Sequence, residues 1–98
     1  MIRVLIQRQI SEGCLDGYLA LIRQARKQAN TVDGFIAGEL LQEKDNQYNA
    51  VIISSWENYQ AWKAWSVSEE RLTVLKDMRS LLDADEKVTI LENNHIFA

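Results

Sequence analysis

Residues 51–75 read VIISSWENYQAWKAWSVSEERLTVL, and they contain all three tryptophans of the 98-residue chain: Trp56, Trp62 and Trp65. The Val- and Ile-rich run before Trp56 is typical of a β-strand. Asn58 can cap a short helix, on which Tyr59 shares one face with the second and third tryptophans. Ser68 can cap a further helix, whose apolar stripe is Leu72, Leu75, Met78, Leu81 and Leu82. This stretch therefore predicts a strand followed by two helices.

The segments on either side complete an α+β pattern. Residues 2–10 alternate as a strand does, and residues 15–29 have helical spacing, with Ser11 as the predicted N-cap. Residues 35–42 and 48–56 read as a hairpin, and residues 87–97 as a last strand. The order β-α-β-β-α-α-β predicts a ferredoxin-like fold, in which an antiparallel sheet carries the helices on one face. We expect a single domain that covers residues 1–98.

The strands carry apolar side chains on both alternations, although helices can cover only one face of the sheet. One set is Ile2, Val4, Ile6, Phe35, Ile52, Val88 and Ile90. The other is Leu5, Ile36, Leu40, Val51, Ile53 and Leu91. An uncovered apolar face marks an interaction surface. Two such sheets packed face to face would bury it, so the sequence predicts a homodimer.

Composition and charge exclude several classes of function. The net charge of −3 and the absence of a basic stripe argue against nucleic-acid and membrane partners. The only cysteine, Cys14, cannot form an intrachain disulfide, and no segment resembles a signal peptide, so we expect a cytoplasmic protein. One histidine and no CxxC or HExxH spacing predict no metal site. The carboxylates of the stretch LDADEKV, residues 82–88, are read as a solvated turn.

Four stretches of the sequence together resemble a known family: DGFIAGELL, VIISSWEN with its strand-ending Trp56, AWKAWSVSEERLTVL and the closing KVTILEN. On these stretches the chain resembles the antibiotic biosynthesis monooxygenase domain family. It implies a homodimeric α/β barrel, with a cavity between the sheet and the helices of each subunit. It also implies a flat phenol or anthrone as substrate, which reacts with O₂ without metal, flavin or other cofactor. Such chemistry needs water exclusion, orientation of the ring and hydrogen-bond donors.

The branch of this family that degrades haem has a different set of residues. Its Trp position matches Trp65, its Asn position falls on Gln7, and its axial His position falls on Leu75. Without that ligand we expect no haem chemistry. The monooxygenase branch also differs from this chain, because Ile52 stands where an assisting Asn is expected.

Seven residues are candidates for the site, and each also has a structural interpretation. The catalytic candidates are Trp65, Gln7 and His95, and the ligand-binding candidates are Trp56, Tyr59, Leu75 and Arg71. Gln7 could equally be an exposed strand residue, and His95, the natural general base, could be a solvated residue at a strand end. Arg71 could pair with an acidic group or lie on a solvated helix face. We predict that Trp62 is a core residue.

The sequence is compatible with two functions of different classes. The first is a cofactor-independent monooxygenase that oxidises a small or polycyclic phenolic or quinol-type compound. The second is a module that binds a small apolar ligand without chemistry. A complete set of base and hydrogen-bond donors in the pocket would favour the enzyme, and the sequence offers no convincing base.

Overall fold

The computed structural model describes residues 1–94 and 97, and it has the predicted α+β, ferredoxin-like architecture. The elements are β1 Ile2–Gln9, α1 Leu15–Ala29, β2 Phe35–Glu43, β3 Asn46–Trp56, α2 Tyr59–Ser66, α3 Glu69–Arg79 and β4 Lys87–Glu92. The four strands form one antiparallel sheet in the order β2-β3-β1-β4. The prediction of the element order and of the fold class is confirmed.

The central strand β1 separates two faces of the sheet by strict alternation. Its buried side chains are Ile2, Val4, Ile6 and Arg8, which point to the same side. Cross-strand pairing puts Ile52 of β3 and Val88 of β4 opposite Ile6, so these residues belong to that side as well. We call it the helix face, because its residues pack against α1 and α2. The opposite side, which includes Leu5, Val51 and Ile53, is the outer face.

A β-bulge in β2 reverses the face of the sheet to which the side chains after it point. The register shifts between Phe35 and Ala37, and Leu40 is then paired with Ile52. Leu40 therefore lies on the helix face, and its predicted position on the outer face is wrong. The reason is that a bulge adds one residue to a strand with a period of two, which moves every later side chain to the other face.

Two of the three predicted helix caps are present. The side chain of Asn58 accepts a hydrogen bond from the backbone N–H of Ala61 at 2.9 Å, and Ser68 accepts one from Arg71 at 3.2 Å. The prediction for Ser11 is wrong. Helix α1 begins at Leu15 with no side-chain cap, and the Ser11 hydroxyl instead donates to Asp83 Oδ1 at 2.6 Å.

The core consists of two clusters between the sheet and the helices. The first joins β1 to α2 and the end of α1: Ile2, Val4, Ile6, Ala29, Trp56, Trp62 and Trp65. The second joins the start of α1 to α3: Ile10, Tyr18, Ala50, Val74 and Met78. Among the described residues, no helix is long and apolar enough to cross a membrane.

Candidate functional site

A cavity of about 660 Å³ lies between the helix face and the three helices. Its floor consists of buried residues of β1 and β3, including Ile6 and Ser54, and of α2 and α3. The lining residues that are exposed to solvent, such as Arg26 and Ile36, belong to α1, its C-cap Asn30 and β2. The mouth of the cavity is therefore between these two elements. Its volume is within the range of small-molecule sites.

All three tryptophans line this cavity. Trp56 and Trp62 meet edge to face, with their ring centroids 5.7 Å apart. The indole N–H of Trp56 donates to Ser54 Oγ at 3.0 Å. In the described part of the chain, the indole N–H groups of Trp62 and Trp65 have no acceptor. Neither nitrogen is completely buried, so both can bond to solvent or to a ligand. Trp62 thus has the predicted core position, but it also contributes to the cavity wall.

A cluster of three charged side chains lies at the buried side of the cavity. Arg8 donates through Nε and Nη2 to Glu86 Oε1, at 3.0 and 2.7 Å, and through Nη1 to the Tyr18 hydroxyl at 3.1 Å. Arg71 donates through Nη2 to Glu86 Oε2 at 2.9 Å, so one carboxylate bridges two guanidinium groups. The Arg71 guanidinium also lies over the ring of Trp62, 5.2 Å from its centroid, at a cation–π distance.

Glu86 has an environment that differs from the predicted solvated turn. Its side chain is only 17% exposed. Burial by itself would raise the pKa of Glu86, but the charges and hydrogen bonds of Arg8 and Arg71 outweigh burial and hold the pKa below the ordinary value. The interpretation of this carboxylate as solvated is wrong, although Asp83 and Asp85 in the same turn are exposed.

Sequence reasoning missed Arg8 entirely. The signal was present, because the buried alternation Ile2, Val4, Ile6 continues directly to Arg8. A charged residue at a buried position of a strand requires a partner. The partner, Glu86, is 78 positions away in the sequence and could not be identified from local patterns.

The cavity brings together four of the seven candidate residues. Trp56, Trp65, Leu75 and Arg71 line it. Gln7 is exposed and lies on the outer face, and Tyr59 is 46% exposed and does not line the cavity. His95 is outside the described residues. Within residues 1–94 and 97, no group of three or more His, Cys, Asp or Glu side chains could hold a metal ion.

Comparison with known proteins identifies the family. The profile of the antibiotic biosynthesis monooxygenases matches residues 1–76, and the chain belongs to this family. No curated protein sequence matches the chain.

Several solved structures share the fold at low sequence identity. A conserved protein from Methanosarcina mazei Go1 has a TM-score of 0.90 at 16% identity, with 95% of this chain and 92% of that chain covered. SnoaB from Streptomyces nogalater, a cofactor-independent oxygenase, has a TM-score of 0.84 at 16% identity, with coverage of 97% and 95%. PA3566 from Pseudomonas aeruginosa has a TM-score of 0.83 at 15% identity, with coverage of 96% and 94%. These values show a common fold, which by itself does not assign a reaction.

Proposed function

We propose that the chain is a cofactor-independent monooxygenase that oxidises a small or polycyclic phenolic or quinol-type compound with O₂. The observation that carries this proposal is the cavity of about 660 Å³ whose walls include Trp56, Trp62 and Trp65. Three indole rings around one space favour a flat aromatic ligand. Membership of the antibiotic biosynthesis monooxygenase family and the likeness to SnoaB support the reaction type.

The proposed reaction balances without a cofactor. For a substrate with a reactive ring CH₂, such as an anthrone, ionisation gives an electron-rich anion that transfers an electron to O₂. One oxygen atom then becomes the new carbonyl, and the other leaves as water with the two hydrogens of that carbon. The contribution of the protein is to orient the ring, exclude water and donate hydrogen bonds to the developing oxyanion.

Several donors are available for that oxyanion. The indole N–H groups of Trp62 and Trp65 have no acceptor in the described chain, and both residues line the cavity. Arg71 also lines the cavity and is a charged donor. Gln7 lies on the outer face, so the proposal does not depend on it. The role of His95 as a general base stays a prediction.

Oxygen uptake with the purified protein tests the proposal. Anthrone and hydroquinone substrates are added to the protein, while an oxygen electrode follows oxygen consumption. Chromatography identifies the quinone product, which must carry one oxygen atom more than the substrate skeleton. Leu75→Trp would fill part of the cavity and should abolish turnover. Leu72→Trp is the matched control, because Leu72 is on the same helix but is exposed and outside the cavity. Equal turnover in the two variants would place the reaction outside this cavity.

The alternative is a binding module that holds a flat ligand without oxidising it. The described lining of the cavity has a single carboxylate, Glu39, as a candidate base, and this favours the alternative. It predicts saturable binding of aromatic compounds to the parent and to Leu72→Trp, without oxygen uptake in either.

We also propose that the chain is a homodimer whose outer faces pack together. The half-buried side chains of Leu5, Val51 and Ile53 lie in the middle of that face, and Leu41 beside them is 45% exposed. A second copy would bury this apolar surface, as the resemblance to the family implied.

A further inference from the structure

The cationic side chains at the buried side of the cavity are only partly neutralised. Arg8 and Arg71 are 8% and 9% exposed, and both line the cavity. The two ion pairs between described residues both end on Glu86, so two guanidinium groups share one carboxylate. The cluster thus has a net charge of about +1. A buried excess charge is costly unless an anion accompanies it.

Arg71 has unused hydrogen-bonding capacity. Arg8 donates from Nε, Nη1 and Nη2, whereas Arg71 donates to Glu86 from Nη2 alone. The Nε and Nη1 groups of Arg71 have no acceptor within the described chain, and neither nitrogen is completely buried. Contact with Trp62 and Glu86 holds the guanidinium in place before any ligand binds. A fixed guanidinium with free N–H groups suits an oxyanion.

The charges around the whole cavity are predominantly positive. Its ionisable lining residues are Arg8, Arg23, Arg26, Arg71 and Glu39. Four cations against one carboxylate contrast with the net charge of −3 of the entire chain. Even with Glu86 included, the cavity is positive in a protein that is negative. This arrangement attracts anions to the cavity and repels cations from it.

We infer that the cavity binds aromatic compounds in an anionic form, with a carboxylate or an ionised phenol held by Arg71 beside Arg8. The inference rests on the proposed role of the cavity as the ligand site, and it names the chemical class of that ligand. It also addresses the missing base. The positive cluster stabilises the phenolate over the phenol, so a bound phenol releases its proton to solvent at the mouth of the cavity, and no side chain has to act as general base.

Equilibrium binding of a matched pair of ligands tests the charge preference. The probes are 2-naphthoate and its neutral analogue 2-naphthamide, measured at neutral pH without oxygen by quenching of tryptophan fluorescence. The parent should bind the acid at least about tenfold more tightly, which corresponds to about 1.4 kcal/mol. Equal affinities in the parent overturn the inference, and this result needs no variant.

Variants assign the preference to the cluster. Arg71→Gln should bind the acid and the amide equally, and Arg71→Lys should keep part of the preference because it keeps the charge. Lys76→Gln is the matched control, because it removes one positive charge from the same helix at an exposed position outside the cavity. An unchanged preference in Arg71→Gln, with a normal thermal melt, would overturn the assignment to Arg71.

A second probe distinguishes the two sources of the anionic oxygen. The visible absorption of 4-nitrophenol reports its ionisation, and binding to the parent should increase the ionised fraction at a pH where the free compound is half ionised. If the parent prefers naphthoate but does not increase the ionised fraction of 4-nitrophenol, the site binds carboxylates. If it increases that fraction but shows no preference for naphthoate, the site binds phenolates. The absence of both overturns the inference. No oxygen is consumed in either assay, so this failure is distinct from a failure of the proposed oxidation.

Discussion

A β-carbon added to Gly34 would lie 2.5 Å from the Cβ of Ala61, so the loop before β2 and the first turn of α2 meet without room for another methyl group. Gly34 also has a φ of +88°, which L side chains rarely adopt. Its carbonyl accepts a hydrogen bond from the backbone N–H of Glu57 at 2.8 Å. Both the close packing and the backbone conformation therefore require glycine at this position.

We expect Gly34→Ala to lower the free energy of unfolding by about 2–4 kcal/mol, since backbone strain and overlap with Ala61 both contribute. Gly13→Ala is the control. Gly13 also has a positive φ, of +81°, but nothing lies within 4 Å of its added β-carbon. Strain alone should cost about 1 kcal/mol there. Urea denaturation measures both variants, and equal losses would mean that the neighbourhood of Ala61 relaxes freely.

Trp62 and Trp65 are expected to differ in their contributions to stability and to binding. Trp62 packs against Trp56 and Arg71, so Trp62→Ala should lower the free energy of unfolding by about 3–5 kcal/mol. Trp65→Phe keeps most of the apolar volume but removes an indole N–H. It should leave the thermal melt nearly unchanged and weaken binding of polycyclic phenols, as measured by fluorescence quenching. Tight binding to Trp65→Phe together with weak binding to Trp62→Phe would reverse these roles.

The ion pairs of Glu86 predict a defined pH dependence of stability. A carboxylate whose folded-state pKa is lowered stabilises the fold above its unfolded pKa, and this contribution disappears as the pH falls through the folded value. Because the pKa of Glu86 lies below its ordinary value of 4.5, the loss should occur in that acidic range. At pH 7, Glu86→Gln should cost about 2–3 kcal/mol, since it weakens two ion pairs that are shielded from solvent.

Chemical denaturation at pH 7, 4 and 3 measures that dependence. The difference between the parent and Glu86→Gln should shrink at the lower pH values. Glu12→Gln is the control, because Glu12 is exposed and makes no hydrogen bond or ion pair in the described chain. A difference that stays constant from pH 7 to pH 3 would contradict a role for the Glu86 charge.

The proposed dimer predicts a specific effect of a charge on the outer face. Val51→Asp would bury an unpaired carboxylate between the two sheets, so it should weaken association by roughly tenfold or more. Thr73→Asp adds the same side chain on the exposed surface of α3 and should leave association unchanged. Sedimentation equilibrium over micromolar concentrations compares them. A parent that remains monomeric throughout this range would refute the face-to-face arrangement.

The fold was accessible from the sequence because its determinants are local. Alternation in β1, the Val- and Ile-rich β3 and the caps at Asn58 and Ser68 each act within a few residues. The Ser11 cap failed because a turn at residues 11–14 delays the start of α1 to Leu15, and the Ser11 hydroxyl donates to a tertiary partner, Asp83. The place of such a partner in space is not visible in the local sequence.

The residues of the cavity could be predicted from the sequence only in part, because some of their contacts join distant parts of the chain. Trp56 and Trp65 could be identified because large aromatic residues at strand and helix ends are visible in the sequence. The pairing of Arg8 and Arg71 through Glu86 depends on where β1, α3 and the turn before β4 meet in space. No sequence spacing encodes that meeting point, and Gln7, one position from Arg8, projects to the opposite face.

The bulge after Phe35 has a consequence for comparisons between relatives. Because it adds a residue to β2, counting positions along this strand from a homologue without the bulge would interchange cavity residues with residues of the outer face. Leu40 would then be placed on the outer face, where the proposed dimer contact lies. Its neighbours in β2 would be taken for cavity residues in its place. At identities near 15%, residue equivalences in β2 must come from superposed coordinates rather than from aligned letters.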